Sequence, residues 1–455
     1  MRDYHEFLNH KKIINIPSGI KISPDKINPL AFDFERDIVL WALQKGKAAI
    51  FAGTGLGKTF QMLEWARHIH LYTNKPVLIL TPLSVANQTV REGNKFGIEV
   101  NHCKDQSGVI NGINVTNYEK LDHFNTDAFA GVVLDESSIL KSFTGKIKTK
   151  IFDAFKNTPY KLACTATPSP NDYMELANHA EFLGVMTRSE FLSMWFIHDS
   201  GDTAKWRLKG HAKEEYWRWV AGWAVMMQNP ADLGYDGSRF DLPKLHTIQH
   251  TVATGNEQVK TLTDLRNASR LTLKERVQMC ADIANGIDES FIIWCNLNDE
   301  GDALTKAVNG AVQIKGSDTP EYKERVLAEF ANGTIKKLVS KASITGFGLN
   351  WQHCHNMAFV GLSHSFEQYY QAVRRCWRFG QQEEVNVHVI TSDMEGAVVA
   401  NIERKEKDFN NMLSNMISVT QELTKKNITQ TARIIDEYKP TKQIAIPLWL
   451  RSMSA

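Results

Sequence analysis

The sequence predicts an α/β protein made of two parallel-sheet lobes in tandem, with a helical elaboration on the first lobe and a helical C-terminal tail. Three observations carry that expectation. Short apolar runs alternate with longer amphipathic stretches in two separate series along the chain. Residues able to do chemistry fall at the C-terminal ends of several of those runs, where ligands bind in parallel sheets. The chain, at 455 residues, is too long for one core of ordinary size.

In the first series, Ala48–Ala52, Val77–Leu80, Gly131–Leu134 and Lys161–Cys164 are strand candidates, and Thr59–His70 reads as a helix between two of them. The stretch 180–243 breaks the rhythm. It is rich in tryptophan (Trp195, Trp206, Trp217, Trp219, Trp223) and reads as helical, closing in a turn-rich linker. A second series follows: His246–Val252, Phe291–Cys295, Ala311–Ile314, Lys337–Val339, Met357–Val360 and Val385–Ile390, with a helix over Glu321–Phe330. Past Ser392 the pattern is helical and charged. The expected divisions are a first lobe at 1–179, the elaboration and linker at 180–243, a second lobe at 244–415 and a tail at 416–455.

Composition narrows the class. Hydrophobic residues at 43% and charged residues at 23% are ordinary globular values. Lys plus Arg total 53 against 51 Asp plus Glu, so any basic surface must be local. No apolar run reaches the roughly 20 residues that span a bilayer, and the N-terminal stretch lacks a signal peptide's apolar segment. Six scattered cysteines suggest reduced thiols and a cytoplasmic setting. His353-Cys354-His355 is the nearest thing to a ligand cluster, but adjacent side chains of an extended segment point opposite ways and no second ligand pair follows.

The chemistry starts at Phe51-Ala52-Gly53-Thr54-Gly55-Leu56-Gly57-Lys58-Thr59. A strand feeds a glycine-rich loop and then a helix. In such a loop the backbone amides around Thr54, Gly55 and Gly57 cradle phosphates, Lys58 reaches the outer phosphates, and the Thr59 hydroxyl ligates Mg²⁺. The strict phosphate-loop pattern fails only at its first glycine, replaced by Ala52. About 75 residues later, Val132-Val133-Leu134-Asp135-Glu136 is an apolar strand ending in paired carboxylates. Asp135 suits Mg²⁺ held through water, and Glu136 suits orienting and deprotonating an attacking water. In the second series, Arg375 and Arg378 are three apart, a spacing that shares one helix face. Facing the cleft between lobes, they would stabilise transferring phosphate charge.

These strings together resemble the superfamily 2 ATPases of the Swi/Snf type, most closely the compact versions of bacteriophages and prophages. Ala52 to Thr59 is similar to that group's nucleotide loop. Thr81-Pro82, Thr116-Asn117-Tyr118-Glu119 and Thr165-Ala166-Thr167-Pro168 resemble its motifs in the first lobe. Gly346-Phe347-Gly348-Leu349-Asn350 and the run from Gln371 to Gln381 resemble motifs V and VI. The resemblance implies two RecA-like lobes, ATP with Mg²⁺, and sequence-nonspecific binding of duplex or branched DNA. It adds Gly348 and Gln371 to the nucleotide site. It makes Thr81, Pro82, Thr116, Asn117, Tyr118, Ser340, Lys341 and Ser343 the candidate DNA contacts. A DNA translocase in the cytoplasm of a bacterial host is the implied activity, with replication or recombination proteins as candidate partners. An RNA-stimulated helicase and a non-catalytic scaffold are the alternatives.

One position departs from the group. Glu35 stands where a glutamine reads adenine in the resembling proteins, and an ionised carboxylate can only accept hydrogen bonds. Weaker base discrimination is therefore expected. In the tryptophan-rich stretch, Tyr216, Trp219 and Trp223 follow the spacing of a buried helix face, which leaves Trp217 as the better candidate for an exposed ring that stacks on a base. The terminal Ile444–Leu450 suits docking on the second lobe or binding a partner.

Overall fold

The computed structural model describes residues 18–82, 85–141, 145–169, 173–199, 202–253, 270–345, 350–363 and 365–428. Gly348 and Ile444–Leu450 lie outside the described residues. Among those described, no helix is long and apolar enough to cross a membrane.

The first lobe is a seven-stranded sheet, all of it parallel, in the order β3-β4-β2-β5-β6-β1-β9. Its strands are β1 (Lys47–Ala52), β2 (Val77–Thr81), β3 (Val100–His102), β4 (Ile113–Asn117), β5 (Gly131–Asp135), β6 (Tyr160–Thr165) and, later in the chain, β9 (Ala224–Met227). Helices α1 (Asp33–Lys45), α2 (Lys58–Thr73), α3 (Ala86–Lys95) and α4 (Lys146–Ala154) cover it. The middles of the central strands are apolar because both faces are buried, and polar residues fall at or near their ends. Ile50, Val77, Ile79 and Val133 pack into one core, while Phe51, Leu78, Leu80, Val132 and Leu134 pack into the other.

After β6 come α5 (Leu176–Phe182) and α6 (Arg188–Trp195). An antiparallel hairpin of β7 (Phe196–Asp199) and β8 (Asp202–Leu208) follows, then α7 (Lys213–Ala221). The elaboration expected to be helical thus carries an antiparallel hairpin between its helices. Aromatic side chains suit a pleated surface as well as a helix. The four apolar residues of β9 are too few for periodicity to classify, and their pairing with β1 carries the first sheet as far as Met227.

The second lobe is a six-stranded parallel sheet in the order β10-β15-β14-β11-β13-β12. Its strands are β10 (Leu245–Val252), β11 (Phe291–Cys295), β12 (Ala311–Ile314), β13 (Lys337–Lys341), β14 (Asn356–Val360) and β15 (Val385–Ser392). Its helices are α8 (Leu273–Asn285), α9 (Asn298–Ala307), α10 (Pro320–Ala331), α11 (Ala342–Thr345) and α12 (Phe366–Val373). Arg276 of α8 and Glu300 of α9, both fully buried, bond at 2.9 Å and staple those helices together.

The long α13 (Gly396–Ile428) leaves the second lobe and packs back against α7, β9 and α1 of the first. Val398, Ile402, Phe409, Met412 and Leu413 on this helix join the apolar core that runs from one lobe into the other. The helix runs unbroken through the expected boundary at 415. The two parallel-sheet lobes predicted from sequence are the lobes observed.

Candidate nucleotide site between the lobes

The glycine-rich loop connects the end of β1 to the start of α2. Gly55 and Gly57 have φ of 89° and 69°, left-handed conformations that glycine adopts at little cost. A Cβ at Gly57 would collide with the Glu35 carboxylate, and one at Gly55 with Phe379. Leu56 is buried and anchors the loop, while Gln61 Nε2 donates to the Leu56 carbonyl at 2.9 Å. The Lys58 ammonium folds over the loop, donating to the carbonyls of Ala52 at 2.8 Å and Gly53 at 2.9 Å. No acidic residue occupies the first turn of α2, so its N-terminal partial charge stays positive there.

Opposite this loop, β5 ends in Asp135 and the chain turns at Glu136 with a left-handed φ of 56°. For a residue with a Cβ that conformation costs roughly 1–2 kcal/mol, a strain found most often at functional sites. Thr165, at the end of neighbouring β6, donates to Glu136 Oε2 at 3.1 Å and accepts from the Thr167 amide at 3.1 Å. Ser137 is tied to His179 at 3.1 Å. Burial, and then the adjacent Glu136, push the Asp135 pKa up to about 7, while Lys58 and Arg375 pull it back down. Burial lowers the pKa of Lys58, against the pull of Glu136 and Asp135.

The second lobe supplies two guanidinium groups. Burial, then Arg378, lowers the Arg375 pKa to about 9, and its attractive partners are Glu136 and Asp135 across the cleft. Arg378, lowered by burial to about 10, faces Glu92 of α3 and repels Lys58. Arg375 thus feels the first lobe's acidic pair, and Arg378 its lysine and Glu92. The expected shared helix face is not how they get there. Helix α12 ends at Val373, and Arg375 and Arg378 lie in the turns beyond it. The Arg375 carbonyl accepts from Trp351 N at 3.0 Å, and Gly380 has φ 91°. The chain is drawn into the second lobe's interior there, so helix spacing does not govern the two side chains.

Aromatic rings close the same cleft. Phe379 rests on Gly55 and stacks on Phe240 at 4.6 Å, and Phe240 meets Phe32 and Phe34 edge-on at 5.3 Å. Lys141, just past the acidic pair, forms an ion pair with Glu367 at the start of α12, and Asn87 Nδ2 donates to Glu324 of α10 at 2.6 Å. Gln371 Nε2 is buried without a hydrogen-bond partner, an orphan donor that a bound anion would satisfy. Lys58, Arg375, Arg378, the helix N-terminus and this amide gather donors and positive charge around the loop, as a polyanion requires. Among the described residues, no three His, Cys, Asp or Glu side chains converge to hold a metal. Thr59 stands in the first turn of α2 and Asp135 at the tip of β5, a hydroxyl and a carboxylate of the kind that suits a hard cation arriving with phosphate oxygens, as Mg²⁺ does. Thr54 is half-buried on the loop.

Glu35 lies at the rim, in the first turn of α1. Its Oε2 accepts from the Phe32 amide at 3.0 Å and its carboxylate abuts Gly57. Burial raises its pKa to about 7, against that hydrogen bond. It is therefore not the fixed, ionised acceptor expected from its residue type. Near neutral pH it is poised between acceptor and donor.

The candidate DNA contacts are placed differently from the expectation. Thr81, Thr116 and Ser340 are fully buried, and Asn117 and Tyr118 nearly so. Thr81 Oγ1 donates to the Pro82 carbonyl at 3.2 Å, Asn117 Nδ2 to the same carbonyl at 3.3 Å, and Ser340 Oγ to Ile314 O at 3.2 Å. Tyr118 OH donates to the Asp135 carbonyl at 2.7 Å. These groups brace strand ends, and Tyr118 positions the acidic pair. Half-buried Lys341 and exposed Ser343 line a small cavity of about 30 Å³ with Asn296 and Gln368, and Pro82 is half-buried. Trp217, expected to be exposed, is fully buried against Tyr173 and Tyr216, while Trp219 is the half-buried ring of its helix. His353 packs edge-on to Phe330, and His355 pairs with Glu289 at 2.9 Å.

Comparison with known proteins matches part of the chain to a family and finds solved structures of similar fold. Residues 274–380 match the helicase conserved C-terminal domain family, from α8 to the glycine after Arg378. The Sulfolobus solfataricus SWI2/SNF2 ATPase core, solved in complex with dsDNA, is similar at a TM-score of 0.43 and 18% identity, over 90% of this chain and 99% of that one. No curated protein matches in sequence.

Proposed function

We propose that this chain is a DNA-dependent ATPase of the Swi/Snf type that moves along duplex or branched DNA by opening and closing its two lobes. The observation that carries the reading is the composite site. Lys58, Asp135 and Glu136 come from one lobe, and Arg375 and Arg378 from the other; each arginine senses first-lobe charges. Lys58 and the loop amides would hold the phosphates of ATP, and Thr59 and Asp135 the accompanying Mg²⁺. Glu136, fixed by Thr165, would orient the attacking water. Arginines that complete the site only when the lobes meet couple turnover to closure. The second-lobe helicase domain match supports this reading. The setting we propose, on the resemblance to phage versions, is phage DNA metabolism in the bacterial cytoplasm.

The test is steady-state ATP hydrolysis without nucleic acid and with single-stranded DNA, duplex DNA, branched DNA and RNA, using Glu136→Gln as the control. Stimulation by duplex or branched DNA that disappears in the variant is the expected result. Preferential stimulation by RNA would replace the reading with an RNA helicase, and absence of turnover in every condition would overturn it.

A further inference from the structure

A second cleft lies away from the nucleotide site, between the β7–β8 hairpin, α7 and the long α13, with a volume of about 580 Å³. Five cationic side chains line it, Arg207, Lys209 and Lys213 from the first-lobe side and Arg404 and Lys405 from α13, against one carboxylate, Asp408. In a chain whose net charge is only +2, this is a strong local concentration of one sign. The floor is apolar, with Phe196, Phe409 and Met412 buried beneath it, and the half-buried ring of Trp206 stands on the wall. Cations that track phosphates beside an aromatic face are the pairing that binds single-stranded nucleic acid without regard to sequence.

Size selects a single strand. A volume of 580 Å³ equals a cube about 8 Å on edge, in the range that encloses a group the size of a small ligand, about a nucleotide or two, and not the body of a double helix. One wall comes from the first lobe and the other from α13, which joins the two lobes. Phe409 of α13 packs on Phe366 and Tyr370 of α12, at 5.5 and 5.4 Å, and that helix leads into the arginine-bearing turns. On the other side, Ser169 reaches the cleft four residues after Thr165, the residue that holds Glu136. The cleft is thus bonded at both walls to the machinery proposed to hydrolyse ATP.

We infer that this cleft binds one strand of a nucleic acid through its phosphates, with a base against Trp206. The inference rests on the proposed function and adds a track that the motif resemblance does not assign. Its test is fluorescence anisotropy of a labelled oligothymidylate with the full-length protein, titrated over a range of salt. Wild type is compared with Arg207→Ala, Lys405→Ala and Trp206→Ala, and thermal melts establish that each variant is folded. Each lost cation should lower the slope of log K against log salt by about 0.7, and loss of Trp206 should weaken binding about tenfold. Affinities and slopes unchanged in folded variants would overturn the cleft while leaving the ATPase reading intact. Failure of the wild type to bind any polynucleotide would overturn both. Competition by free thymidine monophosphate equal to that of the oligonucleotide, nucleotide for nucleotide, would replace the strand with a mononucleotide site.

Discussion

Glu35 gives the account a prediction whose sign and size both follow from its surroundings. Its carboxyl is buried against Gly57 and titrates near 7, compared with about 4.5 in an unfolded chain. The folded protein therefore holds a proton that the unfolded chain releases between those two values. Stability from this group is complete below about pH 4.5 and is lost as pH rises through 7, by about 3 kcal/mol in all. Glu35→Gln should flatten that part of the profile, so its melting temperature should exceed the wild type's at pH 8 and approach it at pH 5. The same proton bears on the base. At pH 6 about nine-tenths of Glu35 is protonated and can both donate and accept, whereas at pH 8 about nine-tenths can only accept. One additional hydrogen bond of about 0.5–1.5 kcal/mol predicts that the ratio of kcat/KM for ATP over GTP rises roughly 2- to 12-fold between pH 8 and pH 6. In Glu35→Gln the ratio should stay high throughout. Initial rates with both nucleotides across this range provide the assay. A wild-type ratio that is flat with pH, or already high at pH 8, would refute the reasoning.

Other residues give sharper yes-or-no outcomes. Tyr118→Phe removes the hydroxyl bonded to the Asp135 carbonyl, and it should cost about 1 kcal/mol of stability and lower kcat while leaving DNA affinity unchanged. A large loss of DNA affinity would return Tyr118 to the nucleic-acid surface. Glu300→Ala leaves Arg276 buried without its partner and should destabilise the second lobe by about 3–5 kcal/mol in thermal or urea unfolding. A change below about 1 kcal/mol would contradict the stapling role. Lys141→Met and Glu367→Gln, singly and together, should each reduce DNA-stimulated turnover with a coupling of about 0.5–3 kcal/mol, because their ion pair bridges the lobes. Strictly additive effects would show that the pair does not assist closure.

The parts of this molecule that sequence revealed are those governed by local rules. Central strands buried on both faces show as apolar runs, and β15 as an alternation of Val385, Val387 and Val389 with Asn386 and His388, so β1, β2, β5, β11, β14 and β15 are legible to within a residue or two at most ends. The glycine loop and the Asp135-Glu136 pair are likewise visible, since each needs particular residue types in sequence. Less visible are elements fixed by tertiary contacts. Edge strands β3 and β9 are short, and the β7–β8 hairpin lies among aromatics that fit a helix equally well. Burial of Tyr118 and Thr116, the turn that carries Arg375 and Arg378, and the raised pKa of Glu35 all depend on distant neighbours. The return of α13 to the first lobe has no sequence signal beyond its apolar stripe of Phe409, Met412 and Leu413, and with it the basic cleft was hidden as well.

The most direct test of movement along DNA is displacement of a third strand from a duplex that carries a triplex segment downstream of a loading region. The account predicts that wild-type protein with ATP releases the third strand. Glu136→Gln, or the wild type without ATP, should leave it bound. Robust DNA-stimulated hydrolysis with no third-strand release would contradict the central claim, because the lobes would then cycle without travelling.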